Sequence, residues 1–216
     1  MKCTTTQGFG PSTAYKPLKG HPGKDRVCGF LSPIYAEFDG YVYKTFTLED
    51  PASDGFTAIC QIVETAQETF EFIYGHPNVV LCSVGQFIRK GQLIGLEGNQ
   101  GFVMVNGRIP TDEERKKGVG SHRHYQKRLV KKVSTLDPSK KYLDQRLPNN
   151  VRGYQYCDDA GFFYEVVDHS NGYNGCVDFD LPSEKDALEL EVSRLTKLRN
   201  LYLELKLLYQ KLNKAQ

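Results

Sequence analysis

Ile34-Tyr35-Ala36-Glu37-Phe38-Asp39-Gly40-Tyr41-Val42-Tyr43-Lys44-Thr45-Phe46 decides how this chain folds. Aromatic and β-branched residues alternate with polar ones on both sides of Asp39-Gly40, the period-2 signature of strands with one buried face. Asp-Gly between two alternating runs predicts a hairpin, because the favoured two-residue turn needs positive φ. The same texture continues downstream. Residues 57–63 and 69–74 are rich in β-branched and aromatic side chains and read as two further strands. Residues 84–95 carry Gly85, Gly91 and Gly95 at the corners of a predicted tight hairpin.

Further from this stretch the character changes. Residues 1–13 read as a flexible lead-in. Residues 106–118, with the charge run Asp112-Glu113-Glu114-Arg115-Lys116-Lys117, read as a surface excursion with one helical turn. A strand resumes through residues 125–133, and residues 134–175 are loop-rich with one aromatic strand at 162–167. Pro182 and the capping box Ser183-Glu184-Lys185-Asp186 then open a long helix. Leu188, Val192, Leu195, Leu198, Tyr202, Leu205, Tyr209 and Leu212 lie along one stripe of it at near-heptad spacing, the pattern of a coiled coil or partner-binding helix. The expected fold is therefore mainly β, a compact antiparallel, barrel-like sheet with glycine-rich hairpins and a C-terminal α-helix. The expected division is a β-rich unit over residues 1–181 (core about 14–133, extension 134–181) and a helix over 182–216.

Composition narrows the function. The 216 residues are 39% hydrophobic and 25% charged, with a formal net charge of +2, ordinary for a globular protein. A dedicated nucleic-acid binder would carry a concentrated basic face; Lys127-Arg128 with Lys131-Lys132 is the one candidate cluster and reads as a solvated edge. No run approaches the roughly 20 apolar residues of a membrane span, and the polar first 20 residues lack the apolar core of a secretory signal. The expectation is synthesis in a cytoplasm and, for any role outside it, another route of export. Six cysteines (Cys3, Cys28, Cys60, Cys82, Cys157, Cys176) contain no C-x-x-C pair and are expected to be free, mostly buried thiols.

Four of the five histidines fall in three spaced motifs. His21 and Asp25 are four apart across Pro22-Gly23, a turn that can converge two side chains. His76 ends the strand-like run Phe70-Glu71-Phe72-Ile73-Tyr74-Gly75. His122 and His124 flank Arg123, so on a strand both project from one face about 6.5–7 Å apart and Arg123 from the other. One of that pair can bind a metal while the other reaches a bound water. Two imidazoles and a carboxylate make an open tetrahedral zinc site of the catalytic kind, and further histidines supply proton transfer. His169 belongs to no motif.

The order His-x3-Asp, Tyr-Gly-His, Gly-Gln-x-Ile-x-x-Gly-Gln-x-Ile-Gly and Gly-x-His-x-His-Tyr resembles the lysostaphin-type zinc metallopeptidases, which cleave peptide bonds in the stem or cross-bridge of bacterial peptidoglycan. Ile34-Tyr35-Ala36 with Asp39-Gly40, and Gly98-Asn99-Gln100-Gly101, resemble further family motifs, and the likeness covers roughly residues 21–126. It implies that His21, Asp25 and His124 hold Zn2+, that His122 is the general base and later acid, and that His76 orients water or stabilises the tetrahedral intermediate. Tyr15 is implied as an oxyanion donor. The substrate implied is a peptide of the bacterial cell wall, and the setting a phage lysin or virion-associated hydrolase, with self-association or virion contact through the terminal helix. Arg123 replaces an apolar residue of the family, and residues 102–119 are longer than its usual loop, so they should wall the substrate groove. The competing reading is a catalytically inactive structural module of the same fold. A biotinyl or lipoyl carrier would share the glycine-rich hairpin but needs a turn lysine flanked by small or methionine residues, a setting missing here.

Overall fold

The computed structural model describes residues 3–11, 20–47, 57–101, 103–135, 163–167, 176–180 and 184–214; Tyr15, Cys157, His169 and most of the 134–181 extension lie outside them. The elements are β1 (Thr4–Gln7), β2 (Gly10–Pro11), β3 (Gly20–His21), β4 (Lys24–Val27), β5 (Pro33–Tyr35), β6 (Gly40–Phe46), β7 (Ala58–Glu64) and β8 (Thr69–Gly75). They continue with β9 (Val79–Val80), β10 (Phe87–Ile88), β11 (Leu93–Leu96), α1 (Asp112–Lys116), β12 (Arg123–Val133), β13 (Phe163–Val166), β14 (Cys176–Val177) and α2 (Glu184–Lys214).

Period-2 alternation builds the core. Along β8, Phe70, Phe72 and Tyr74 point to one face and pack with Ile59, Val63, Ile34, Ile88, Ile94 and Tyr125. Ile73 points to the other face, beside Phe46, Ala58 and Cys60. The main sheet runs β1-β4-β12-β8-β7-β6-β10 with β13 and β14 also on β12, and a three-stranded sheet β5-β11-β9 contributes Ile34 and Ile94 to the first face. The architecture is mainly β and antiparallel, as the alternation predicts, but the main sheet is open rather than closed like a barrel.

Two predicted hairpins are crossovers between sheets. β5 pairs with β11 while β6 pairs with β7 and β10, so Asp39-Gly40 carries the chain from the small sheet to the large one. Gly40 is required there for closeness: a Cβ would lie 2.2 Å from the Ile62 carbonyl oxygen. Residues 84–95 do turn tightly, but β10 joins β6 and β11 joins β5 and β9. β7 and β8, read from the sequence as two separate strands, form a hairpin over residues 65–68 and pair along their full length.

The amino-terminal segment is not a free lead-in. β1 pairs with β4, β2 pairs with β3, and Cys3 is bonded to Cys28. This corrects the expectation of free thiols at both positions, whereas Cys60, Cys82 and Cys176 are buried, as expected. The basic cluster on β12 is a solvated edge only at Lys131 and Lys132, which are exposed. Arg128 is buried against Glu71, its cross-strand partner, and Lys127 and Lys132 meet Glu68 and Glu64. The charge run at 112–117 forms the short helix α1, closed by a Thr111/Glu114 capping box. No helix among the described residues is long and apolar enough to cross a membrane.

Candidate metal centre

Three strands bring the histidines and the carboxylate together. His124 stands on β12 with Asp25 of β4 opposite it on one side and Gly75 of β8 on the other. His21 on β3 reaches the same point across the turn at Pro22-Gly23. That turn presses on β12, and a Cβ on Gly23 would lie 2.0 Å from the Tyr125 carbonyl oxygen and 2.8 Å from the His124 ring. Glycine is therefore what lets Asp25 and His21 approach His124.

The side chains converge tightly. His124 Nδ1 lies 2.8 Å from Asp25 Oδ1, His21 Nε2 lies 3.2 Å from His124 Nδ1, and His21 Nε2 lies 3.3 Å from Asp25 Oδ1. All three residues are buried. Zinc with ligands at about 2.0–2.1 Å has tetrahedral ligand atoms about 3.3 Å apart, close to this triangle. The outer nitrogens define the tautomers. His21 Nδ1 donates to the Gly8 carbonyl at 3.0 Å, and His124 Nε2 donates to the Gln126 side-chain oxygen at 3.3 Å. Those bonds leave the lone pairs of His21 Nε2 and His124 Nδ1 facing each other and a carboxylate oxygen. Three inward acceptors suit a central cation, and no other group of histidine, cysteine and carboxylate among the described residues gathers this way.

Two more histidines border the triangle. His122 Nε2 lies 3.9 Å from Asp25 Oδ2, and its ring centre lies 4.6 Å from that of His76. His122 Nδ1 donates to the Gly120 carbonyl at 2.9 Å, and His76 Nδ1 donates to the Gln100 carbonyl at 2.6 Å, so Nε2 of each ring is the nitrogen left to face the site. His76 follows β8 with φ +64, a left-handed backbone that a non-glycine residue adopts at a cost and that occurs at functional sites.

Electrostatics sharpens the contrast between the groups. Burial, then the neighbouring His122 and His124, hold the His76 pKa well below its ordinary value, so this ring stays neutral. For Asp25, burial favours the neutral acid, but the close polar contacts of His124 and His21 and the fields of His124 and His122 outweigh it. Its pKa falls far below the usual carboxylate range.

Sequence reasoning named the ring residues but not their supports. Gly8, Gly120 and Gln100 act through backbone carbonyls, which leave no trace in residue type. Gln126 was accessible in principle, since it lies two residues beyond His124 on the same strand face. Glu97 was missed as well. Fully buried, it accepts the N–H groups of Cys28 (3.1 Å) and Gly29 (3.0 Å), the hydroxyls of Ser32 (3.1 Å) and Ser121 (3.2 Å), and Arg123 Nε (2.9 Å). Arg123 is thus directed away from the metal triangle, as alternation predicts, and is spent on a buried polar hub. The insert at 102–119 has a matching structural duty: Arg115 donates to the carbonyls of Asn99 and Gly101, on either side of the Gln100 that holds His76.

No family model matches the chain. No curated protein matches it either. Solved structures similar to it include LytU (22% identity, 60% of this chain and 75% of that one, TM-score 0.43). The catalytic domain of the antimicrobial peptidase lysostaphin from Staphylococcus simulans is 20% identical over 58% of this chain and 80% of that one, TM-score 0.44. The catalytic domain of the prophage-encoded protein EnpA from Enterococcus faecalis is 20% identical over 59% and 81%, TM-score 0.43. These similarities concern the path of the chain, and the functional reading stands on the side chains gathered above.

Proposed function

We propose that the chain is a zinc-dependent endopeptidase acting on peptide bonds of bacterial peptidoglycan. The convergence of His21 Nε2, Asp25 Oδ1 and His124 Nδ1 within 2.8–3.3 Å of one another carries this reading. The substrate class rests on the motif order, which resembles the lysostaphin-type peptidases.

His21, Asp25 and His124 would hold the ion, which when bound supplies Lewis acidity toward a carbonyl and an acidified water. His122 Nε2, on the edge of the triangle, takes a proton from the attacking water and returns it to the departing amine. Its Nδ1–H bond to Gly120 keeps that nitrogen available. Of the two roles open to His76, the tautomer supports water orientation: a neutral ring whose N–H is committed to Gln100 offers an acceptor at Nε2. Tyr15, outside the described residues, would donate to the oxyanion. In phage lysis or penetration of the host wall, the helical tail would tether the enzyme to a second copy or to a virion protein.

The test is metal content together with the loss of turbidity of purified cell walls, wild type against His122→Ala. Stoichiometric zinc in both proteins is expected, with wall cleavage reduced by about 10²–10⁴ in the variant, the scale of a general base. Zinc bound without cleavage of several wall types by the wild type would favour the inactive module.

A further inference from the structure

The segment from Cys3 to Pro11 forms an arm that touches the metal centre from outside the ligand-bearing strands. β1 places Gln7 opposite Asp25, and β2 places Gly10 opposite His21. Between them, the Gly8 carbonyl takes the Nδ1–H of His21 and so aims Nε2 at Asp25 and His124. The Thr6 hydroxyl donates to the Asp25 carbonyl at 3.4 Å. Yet the arm has little to hold it by packing. β1 is four residues with Thr4, Thr5 and Thr6 exposed, β2 is two residues long, and Phe9 between them is only partly buried; short pairings with little buried apolar surface open readily. Its one covalent tie is the Cys3–Cys28 bond, which joins the start of β1 to the residue after β4. Cys28 is itself fixed, through its backbone N–H, to the buried Glu97.

We propose that this disulfide is a redox latch on the metal centre and that the arm is a positioning element for His21. With the bond formed, the arm is seated and His21 keeps the acceptor that sets its tautomer. With the bond reduced, the arm detaches and His21 turns more freely. The chemistry is thiol–disulfide exchange. Two protein thiols and one low-molecular-weight disulfide yield the protein S–S bond and two low-molecular-weight thiols, the two electrons passing from the protein sulfurs to the external disulfide. A chain held where thiols stay reduced carries a loosened site and acquires the seated one on reaching an oxidising exterior. The inference rests on the metal reading above.

Zinc affinity, measured by competition with a chromophoric chelator, tests it on three samples: the disulfide-bonded protein, the same protein after a phosphine reductant, and Cys3→Ser. The bonded protein should bind most tightly, and the other two about 10- to 100-fold more weakly, the scale of losing a partner of a ligating histidine. Amide exchange should rise over residues 4–10, and Cys3→Ser should no longer respond to the phosphine. Equal affinity in all three samples, or a Cys3→Ser protein that still responds, overturns the latch and leaves the metal reading intact. Failure of the bonded protein to bind zinc overturns the metal reading itself. If Cys3→Ser does not fold, the reduced wild type carries the comparison.

Discussion

His76 shows how one side chain's surroundings set its chemistry. It is buried among other imidazoles, with its N–H on the Gln100 carbonyl and its pKa lowered. The unfolded chain therefore binds a proton at this residue that the folded chain refuses. Stability from the neutral ring is fully present above the ordinary histidine value of 6.5 and is lost as pH falls from there toward the lowered folded value. Denaturant unfolding of metal-stripped protein at pH 7.5, 6.5 and 5.5 should show the decline. The His76→Asn variant, whose side chain tolerates the left-handed backbone, should lose up to about 1.4 kcal/mol per pH unit less of it, the slope of one proton. Parallel pH profiles for the two proteins would contradict a neutral, buried His76. Of the candidate residues, the rings were visible in the sequence because histidine is scarce and the motifs are ordered. Their tautomers were not, because carbonyls distant in sequence or contributed by the backbone decide them.

The strand is the unit that assembles the site. His124 meets Asp25 because β4 and β12 pair in a register that sets the two opposite, and a shift by one residue would turn them to opposite faces. Gly23 permits that approach, so Gly23→Ala must push the β3–β4 turn off β12. We expect a loss of more than about 2 kcal/mol, in line with overpacking against backbone, with zinc affinity and melting temperature falling together. Unchanged melting would mean the turn has room to spare. At this scale the sequence was partly legible. Aromatic and β-branched enrichment located β7 and β8, the charge run at 112–117 marked α1, and the capping box at 183–186 marked the start of α2. The hairpins about Asp39-Gly40 and within 84–95 were misread because local turn chemistry fixes a reversal without fixing which sheet receives the next strand.

In the whole molecule, a β unit carries the metal centre and a 31-residue helix α2 displays apolar side chains to solvent. Leu195, Leu198, Tyr202 and Leu205 are each more than half exposed, and with Leu188, Tyr209 and Leu212 they fall on a and d heptad positions. At about 1.5 Å per residue the helix is about 46 Å long, ample for a coiled-coil seam. Self-association through this stripe is the expectation. Sedimentation of the wild type should show a mass that rises with concentration, and Leu198→Asp with Leu205→Asp should abolish the rise with zinc affinity unchanged. A monomer at every concentration would assign the stripe to a different protein.

By itself, the sequence determined the β character, the terminal helix and the identity of the residues that could hold and serve a metal, because periodicity and residue type are local properties. Tertiary structure decided the rest. It chose which sheet each strand joins, drew Cys3 to Cys28 and Arg123 to Glu97, and seated the amino-terminal arm against His21. Each of these is a contact between segments far apart in the chain, selected by packing and by the need of buried polar groups for partners, and neither leaves a periodic mark on the residues that meet it.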